Sequence, residues 1–178
     1  YSNYGAALLG EIVANVSAEP FETYVKPHLL EPLQMHHTTF REPLAAGDPR
    51  GATPALAAAF STGFAHENGG FTAKPFSFAG QLAPAGAASS SATDMSRWMR
   101  MLLNQGTLDG ASIFSPATFA TLATIDFRNA PGVGAIAHGF FRHQYGRYQS
   151  LEHAGNLLYF HSNMVLLPEA GIGVFVST

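Results

Sequence analysis

The sequence predicts an α+β fold, with helices before about residue 130 and an antiparallel sheet after it. Three observations carry that expectation. Apolar residues recur at helical spacing from Tyr4 to Val16 and again from Met95 to Leu103. After Pro131 the pattern changes to short runs rich in β-branched and aromatic residues. The connections between those runs are only a few residues long, which suits antiparallel neighbours.

Taken in order, Tyr4 to Val16 sets Leu8, Leu9, Ile12, Val13 and Val16 on one helical face, with Ser2-Asn3 in front as capping residues. A second helix is expected from Pro20, with Phe21, Tyr24, Val25 and Leu29 as its buried stripe and Pro27 shortening or kinking it. From Arg41 to Gly86 the periodicity fades into Gly, Pro, Ala and Phe. Phe60, Phe64, Phe71, Phe76 and Phe78 argue against simple disorder, so this stretch reads either as a lid or Ω-like loop lining a pocket or as coil packed on the surface. The run Ser89 to Asp94 opens the best helix, where Met95, Trp98, Met99, Leu102 and Leu103 make the stripe and Gly106 closes it. Ser115-Pro116 starts a short helix reaching about Ala123. Strands are expected over Ala135 to Gln144, Arg147 to His153, Phe160 to Leu167 and Gly173 to Ser177.

The 178 residues suffice for one domain with a sizeable core. Charged residues make up 12% of them, against a usual share of roughly 25%. Part of the surface is therefore expected to be covered by other polypeptide. With a net charge of -3, a pI near 6.2 and nine scattered basic residues, no basic stripe exists to neutralise phosphates, which argues against nucleic acid. The chain has no cysteine, which excludes disulfides, zinc-thiolate sites and thiol nucleophiles. No apolar run approaches the roughly 18 residues of a membrane span. Tyr1 is not methionine, no signal-peptide pattern follows it, and Gly-Val-Phe-Val-Ser-Thr ends the chain within an expected strand. The expectation is a segment of a longer protein.

Several motifs fail on context. Gly132-Val-Gly134-Ala-Ile-Ala137 fits a loose dinucleotide pattern, but a loop precedes it and a strand follows it. Asn15-Val16-Ser17 is a glycosylation triplet of the kind chance supplies. The eight histidines include the adjacent His36-His37, but there is no H-E-x-x-H, so no metal and no cofactor are expected. No G-x-S-x-G elbow exists. Of the two lysines, Lys26 follows Thr23 and Lys74 follows Phe71 at the S-x-x-K spacing, and neither makes a nucleophile pair. Three features remain. Tyr1-Ser2-Asn3 combines a phenol and an amide ahead of a helix, or is simply a capping segment with a packed tyrosine. Pro84 through Met95 leads into the long helix, its serines read as caps. His153-Ala154-Gly155-Asn156 sets a titratable ring two residues before a glycine at a strand end, or is an ordinary hydrogen-bonded histidine.

In this order, the pieces resemble the serine β-lactamase and penicillin-binding-protein superfamily. The likeness is to the class C-like branch, with its D-alanyl-D-alanine carboxypeptidases and family VIII carboxylesterases. Tyr1-Ser2-Asn3 resembles that branch's Y-x-N motif. Pro32-Leu33-Gln34-Met35 with Thr38-Thr39-Phe40 resembles its P-L-G-M…T-x-F stretch, Gln34 replacing the commoner glycine. Pro84-Ala85-Gly86 through Thr93-Asp94-Met95 resembles P-A-G…S-T-A-x-D-M, and His153-Ala154-Gly155 resembles the H-x-G form of K-T-G.

The resemblance implies a β-lactamase/transpeptidase-like α+β fold. Residues 1–130 would form the helical and loop lobe, and residues 131–178 antiparallel strands of the α/β lobe. It implies that Tyr1 transfers protons and Asn3 contacts the acyl side of a substrate. His153 would bind a substrate carboxylate or assist proton transfer, Gly155 would admit substrate to the strand edge, and the Asn156 N–H would donate to an oxyanion. One such donor is worth about 3 to 4 kcal/mol of transition-state stabilisation. The implied activity is a serine hydrolase acting through an acyl-enzyme on a β-lactam, a D-alanyl peptide of peptidoglycan type, or an ester, in an extracytoplasmic or periplasmic setting. The family's S-x-x-K segment lies upstream of Y-x-N and its last strand and helix lie beyond the final residue here, so this chain alone is expected to be inactive. The alternative is a non-catalytic binding or scaffold module of the same fold. Oligomeric state is not readable.

Overall fold

The computed structural model describes the backbone of residues 1–178 and every side chain except those of Gln81 and Asp126. The chain divides into two units. The first comprises residues 1–31, 35–91 and 156–160; the second comprises 32–34, 92–155 and 161–178.

In the first unit, helix α1 (Asn3–Ser17) starts where Ser2, in extended backbone, accepts the Gly5 N–H on its Oγ at 3.2 Å. Its expected apolar face exists but faces outward. Leu8, Leu9, Ile12 and Val16 are exposed, while Gly10, on the small-residue side, is buried. Helix α2 (Phe21–Val25) gives way at Pro27 to one π-helical turn, Lys26–Leu30, in which Glu31 N–H bonds the Lys26 carbonyl at 2.9 Å. Proline lacks an N–H and its ring blocks the carbonyl four residues back, so the turn widens. The extra residue rotates the stripe, and Leu30 is buried while Leu29 is only half-buried.

The stretch expected to be irregular contains regular elements and has closed ends. Helix α3 (Pro54–Ala59) is capped by Thr53, and strands β1 (Gly63–Glu67) and β2 (Gly70–Lys74) form a hairpin. Its two-residue turn is Asn68-Gly69, both at positive φ, 50° and 79°. The Glu42 carboxylate accepts the backbone N–H groups of Ala79 and Gly80, joining the start of the excursion to its end. Thr39 and Ser89 exchange backbone hydrogen bonds of 2.9 Å, and the Thr38 and Ser90 hydroxyls meet at 2.7 Å. Ser89 and Ser90 are thus ties to that earlier segment rather than caps. Phe60 stacks on Phe76, which meets Phe78 edge-on, at centroid distances of 5.6 and 5.0 Å.

In the second unit, helix α4 (Ala92–Leu103) buries Asp94, Met99, Met101 and Leu102. Gly106 follows at φ 106°, where an added Cβ would stand 2.2 Å from the Phe114 carbonyl oxygen. Only glycine satisfies both conditions. Strands β3 (Thr107–Leu108) and β4 (Ala111–Ser112) form a short hairpin around Asp109-Gly110. Arg97 and Arg100 converge on the Asp109 carboxylate at 3.0 and 3.3 Å, and Arg97 Nε also donates to the Leu33 carbonyl. Helix α5 (Pro116–Ala123) carries the expected cap, Ser115 Oγ accepting Thr118 N–H at 3.1 Å.

The sheet begins earlier than expected, with β5 (Ile125–Arg128), and continues through β6 (Ala135–Ala137) and β7 (Phe141–Arg142). A two-strand ribbon, β8 (Gln144–Tyr145) with β9 (Tyr148–Gln149), intervenes before β10 (Leu151–Asn156), β11 (His161–Leu167) and β12 (Ile172–Ser177). The six-stranded order is β12-β11-β10-β7-β6-β5, a meander from which the β8–β9 ribbon is looped out between β7 and β10. The strand expected from Ala135 to Gln144 is broken at His138-Gly139, where Gly139 has φ 78°. The one expected from Arg147 to His153 is interrupted at Ser150, and its second half extends to Asn156. Met99 of α4 lies against Gly173 of β12. Leu151 and Leu166 of the sheet are 1% and 0% exposed, so both strands are anchored in the core of this unit. No helix among the described residues is long and apolar enough to cross a membrane.

Candidate active site

Of the residues singled out above, Tyr1, Asn3 and Asn156 belong to the first unit, and His153 and Gly155 to the second. Within the first unit, Tyr1 is 66% exposed and precedes α1. The capping work falls to Ser2, so Asn3 enters the helix as its first residue with an exposed side chain. The cap of α1 is therefore the middle residue of Y-x-N.

In the second unit, β10 alternates its side chains between two faces. His153 and Gly155 share one face, and Glu152 takes the other. His153 is half-buried, its ring 5.4 Å from that of Phe141, and its Nδ1 lies 2.8 Å from the Ala154 carbonyl oxygen. A carbonyl only accepts, so Nδ1 carries the proton in that bond. In the neutral ring, Nε2 is then the basic nitrogen. Gly155 is exposed, and a Cβ there would approach Ser162 Oγ of β11 at 2.8 Å. Any larger residue fills the space over that hydroxyl. Asn156 ends the strand.

Sequence reasoning passed over the side chains on the opposite face. Glu152 is 7% exposed and Ser150 is fully buried. The Glu152 carboxylate accepts from His143 Nδ1, from Ser150 Oγ at 3.0 Å and from the Tyr145 hydroxyl at 3.3 Å. Ser150 Oγ in turn accepts the His143 backbone N–H at 2.9 Å. The Glu152 charge holds the Tyr145 phenol above its usual range, chiefly by repelling the phenolate, with burial and the hydrogen bond adding to it. Serine, histidine and glutamate meet here, but both partners point at the carboxylate and Ser150 is inaccessible, so the group is not a hydrolytic triad. The overlooked signal was Ser150-x-Glu152, two polar residues on one face of a strand that also runs into His153. Gly134, left over from the rejected dinucleotide pattern, has a local explanation as well: a Cβ there would stand 2.5 Å from His143 Nε2. Among the described residues, no three histidines or carboxylates gather in a way that would hold a metal ion.

A sequence model described as Beta-lactamase matches residues 1–178. The chain belongs to the β-lactamase family. Among solved structures it is similar to the octameric penicillin-binding protein homologue from Pyrococcus abyssi, at 24% identity and a TM-score of 0.79, over 99% of this chain and 37% of that one. It is also similar to the D-amino acid amidase of Ochrobactrum anthropi SV3, solved with L-phenylalanine amide, at 22% identity and a TM-score of 0.71, over 99% and 48%. A 42-residue stretch is 48% identical to Protein flp of Staphylococcus aureus strain MW2, covering 24% of this chain and 8% of that protein. The chain therefore spans less than half the length of each. The fold expected from the ordered motifs, a helical lobe with an antiparallel sheet of the β-lactamase/transpeptidase kind, is the fold observed.

Proposed function

We propose that this β-lactamase-family chain is part of a serine hydrolase that works through an acyl-enzyme on amide or ester substrates, with its nucleophile supplied by residues outside these 178. The observation that carries the reading is β10. A family match over the whole chain comes with a strand that sets His153 and Gly155 on one face, with Nδ1 of the ring on the Ala154 carbonyl. In this reading Tyr1 exchanges protons with the nucleophile's lysine, Asn3 holds the acyl group, and His153 binds a carboxylate or assists proton transfer. Gly155 admits the substrate, and the Asn156 N–H donates to the oxyanion. The substrates proposed are β-lactams, D-alanyl peptides or esters, in an extracytoplasmic setting. The amidase similarity and H-x-G in place of K-T-G favour simple amides and esters at least as much as β-lactams.

The test is labelling of the intact protein by a fluorophosphonate or a β-lactam, before and after alanine replaces the serine of an upstream S-x-x-K. Loss of labelling is expected. Undiminished labelling refutes the mechanism, and absence of labelling in the unaltered protein leaves the non-catalytic module. Comparing turnover of a chromogenic cephalosporin with that of a short nitrophenyl ester fixes the substrate class. The 178-residue chain alone is expected to turn over neither.

A further inference from the structure

Strand β10 has little backbone to hold it on the β7 side. Its registered pairing with β7 is Glu152↔Phe141, because β7 is only two residues long. One further backbone bond and several side-chain bonds make up the difference. Ser150 N–H bonds the His143 carbonyl at 2.9 Å, Arg142 Nε donates to the Ser150 carbonyl at 3.2 Å, and the Glu152 carboxylate gathers His143, Ser150 and Tyr145. A strand has a side-chain period of two, so a slip of one residue would exchange Glu152 for His153. The slipped carboxylate would lose three donors, and burying an unpartnered charge is costly. The pleat phase that turns Glu152 toward His143 puts His153 on the opposite face, with its ring 5.4 Å from that of Phe141 and Nδ1 on the Ala154 carbonyl.

We propose that Glu152, held by His143, is the positioning residue for His153: it fixes the phase of β10 and so keeps the His153 proton on Nδ1 and its lone pair on Nε2. The proposal rests on the reading in which His153 faces substrate, but its structural half stands without it. Glu152 touches no reacting atom in this scheme. Its effect passes through the strand to the ring one residue on.

The test is nitrogen-15 imidazole NMR of the full chain, comparing the unaltered protein with E152Q, E152A, H143L and H143Q. Unaltered His153 is expected to show a single neutral tautomer, protonated at Nδ1. E152A and H143L are expected to show averaged tautomers at His153 while circular dichroism reports a folded chain. H143Q retains an N–H donor for the carboxylate and is expected to restore the single tautomer. If E152A does not fold, E152Q and the H143L/H143Q pair decide. A single Nδ1–H tautomer at His153 in folded H143L, or in either folded Glu152 variant, overturns the proposal. In the intact enzyme, E152Q is expected to lower kcat on a nitrophenyl ester about ten- to a hundredfold with KM little changed, within the usual worth of a positioned proton-transfer group. An unchanged kcat overturns positioning for catalysis. An unaltered enzyme without turnover refutes the proposed function instead, and the tautomer measurement still decides the structural half.

Discussion

Replacing Gly134 by alanine tests the His143–Glu152 arrangement without touching either residue. The new Cβ would stand 2.5 Å from His143 Nε2 and 2.7 Å from Cδ2. The Gly134 backbone lies outside the left-handed region, so the effect is steric alone. On a loosely held side chain the ring would swing away at little cost. Here it can swing only by releasing the buried Glu152 carboxylate. Overpacking costs about 1 to 3 kcal/mol, and a hydrogen bond to a charged group is worth about 1.5 to 3 kcal/mol. His143 is half exposed, so the lower part of each range applies, about 2 kcal/mol for G134A. H143A should cost about the same, because it removes one donor from the carboxylate. In the double variant there is no ring to strike, so its total should remain about 2 kcal/mol rather than about 4. Urea unfolding of the four proteins at neutral pH, with unchanged m-values, measures this cycle. Additivity within about 0.5 kcal/mol would show that the ring moves freely and that the Glu152 contact does not hold it.

Ser2→Ala should cost about 1 kcal/mol by removing the α1 cap, whereas Asn3→Ala should stay within about 0.5 kcal/mol; thermal unfolding that reverses this order would make Asn3 the cap. Gln34 is exposed and holds a left-handed backbone at φ 53°, so Gln34→Gly should stabilise by up to about 1 kcal/mol, the left-handed strain relieved less the entropy glycine loses; a lower denaturation midpoint would contradict this. Tyr145 should ionise above the ordinary tyrosine range in an alkaline ultraviolet titration and return toward it in E152Q. The native state holds that proton more tightly than the unfolded state does. Its contribution to stability is therefore complete below about pH 10 and is lost as pH rises through the native value, a dependence Y145F should lack.

Elements with both a cap and a periodic stripe were legible. Ser115-Pro116 opens α5 and Gly106 closes the segment after α4 because cap chemistry and left-handed backbone are local matters. The two hairpin turns, Asn68-Gly69 and Asp109-Gly110, were equally local but went unread. The strands beside them are too short or too aromatic to show a clean alternation, so a strong turn signal lacked its flanks. The π turn at Pro27 and the outward apolar face of α1 were not legible in the same way. The first depends on how a blocked carbonyl is accommodated. The second depends on which side of the helix finds a partner, and amphipathic spacing does not say which. Of the candidate site, His153 and Gly155 could be placed on one strand face from spacing alone. Glu152 could not be assigned, since its three donors come from residues 143, 145 and 150, and the first two become its neighbours only once the β8–β9 ribbon folds back.

Glu152 is also where stability and specification separate. A buried carboxylate is weak evidence for stability, because apolar residues of similar volume often serve as well. In a Glu152→Leu variant, however, two leucines would stand in succession on β10, and either pleat phase would fill the buried place of Leu151 with a leucine. The acid removes that degeneracy, since only one phase gives it His143, Ser150 and Tyr145. The Ser150-x-Glu152 pair therefore specifies which face His153 and Gly155 share. The histidine that looked isolated in the sequence is placed by the residue directly before it.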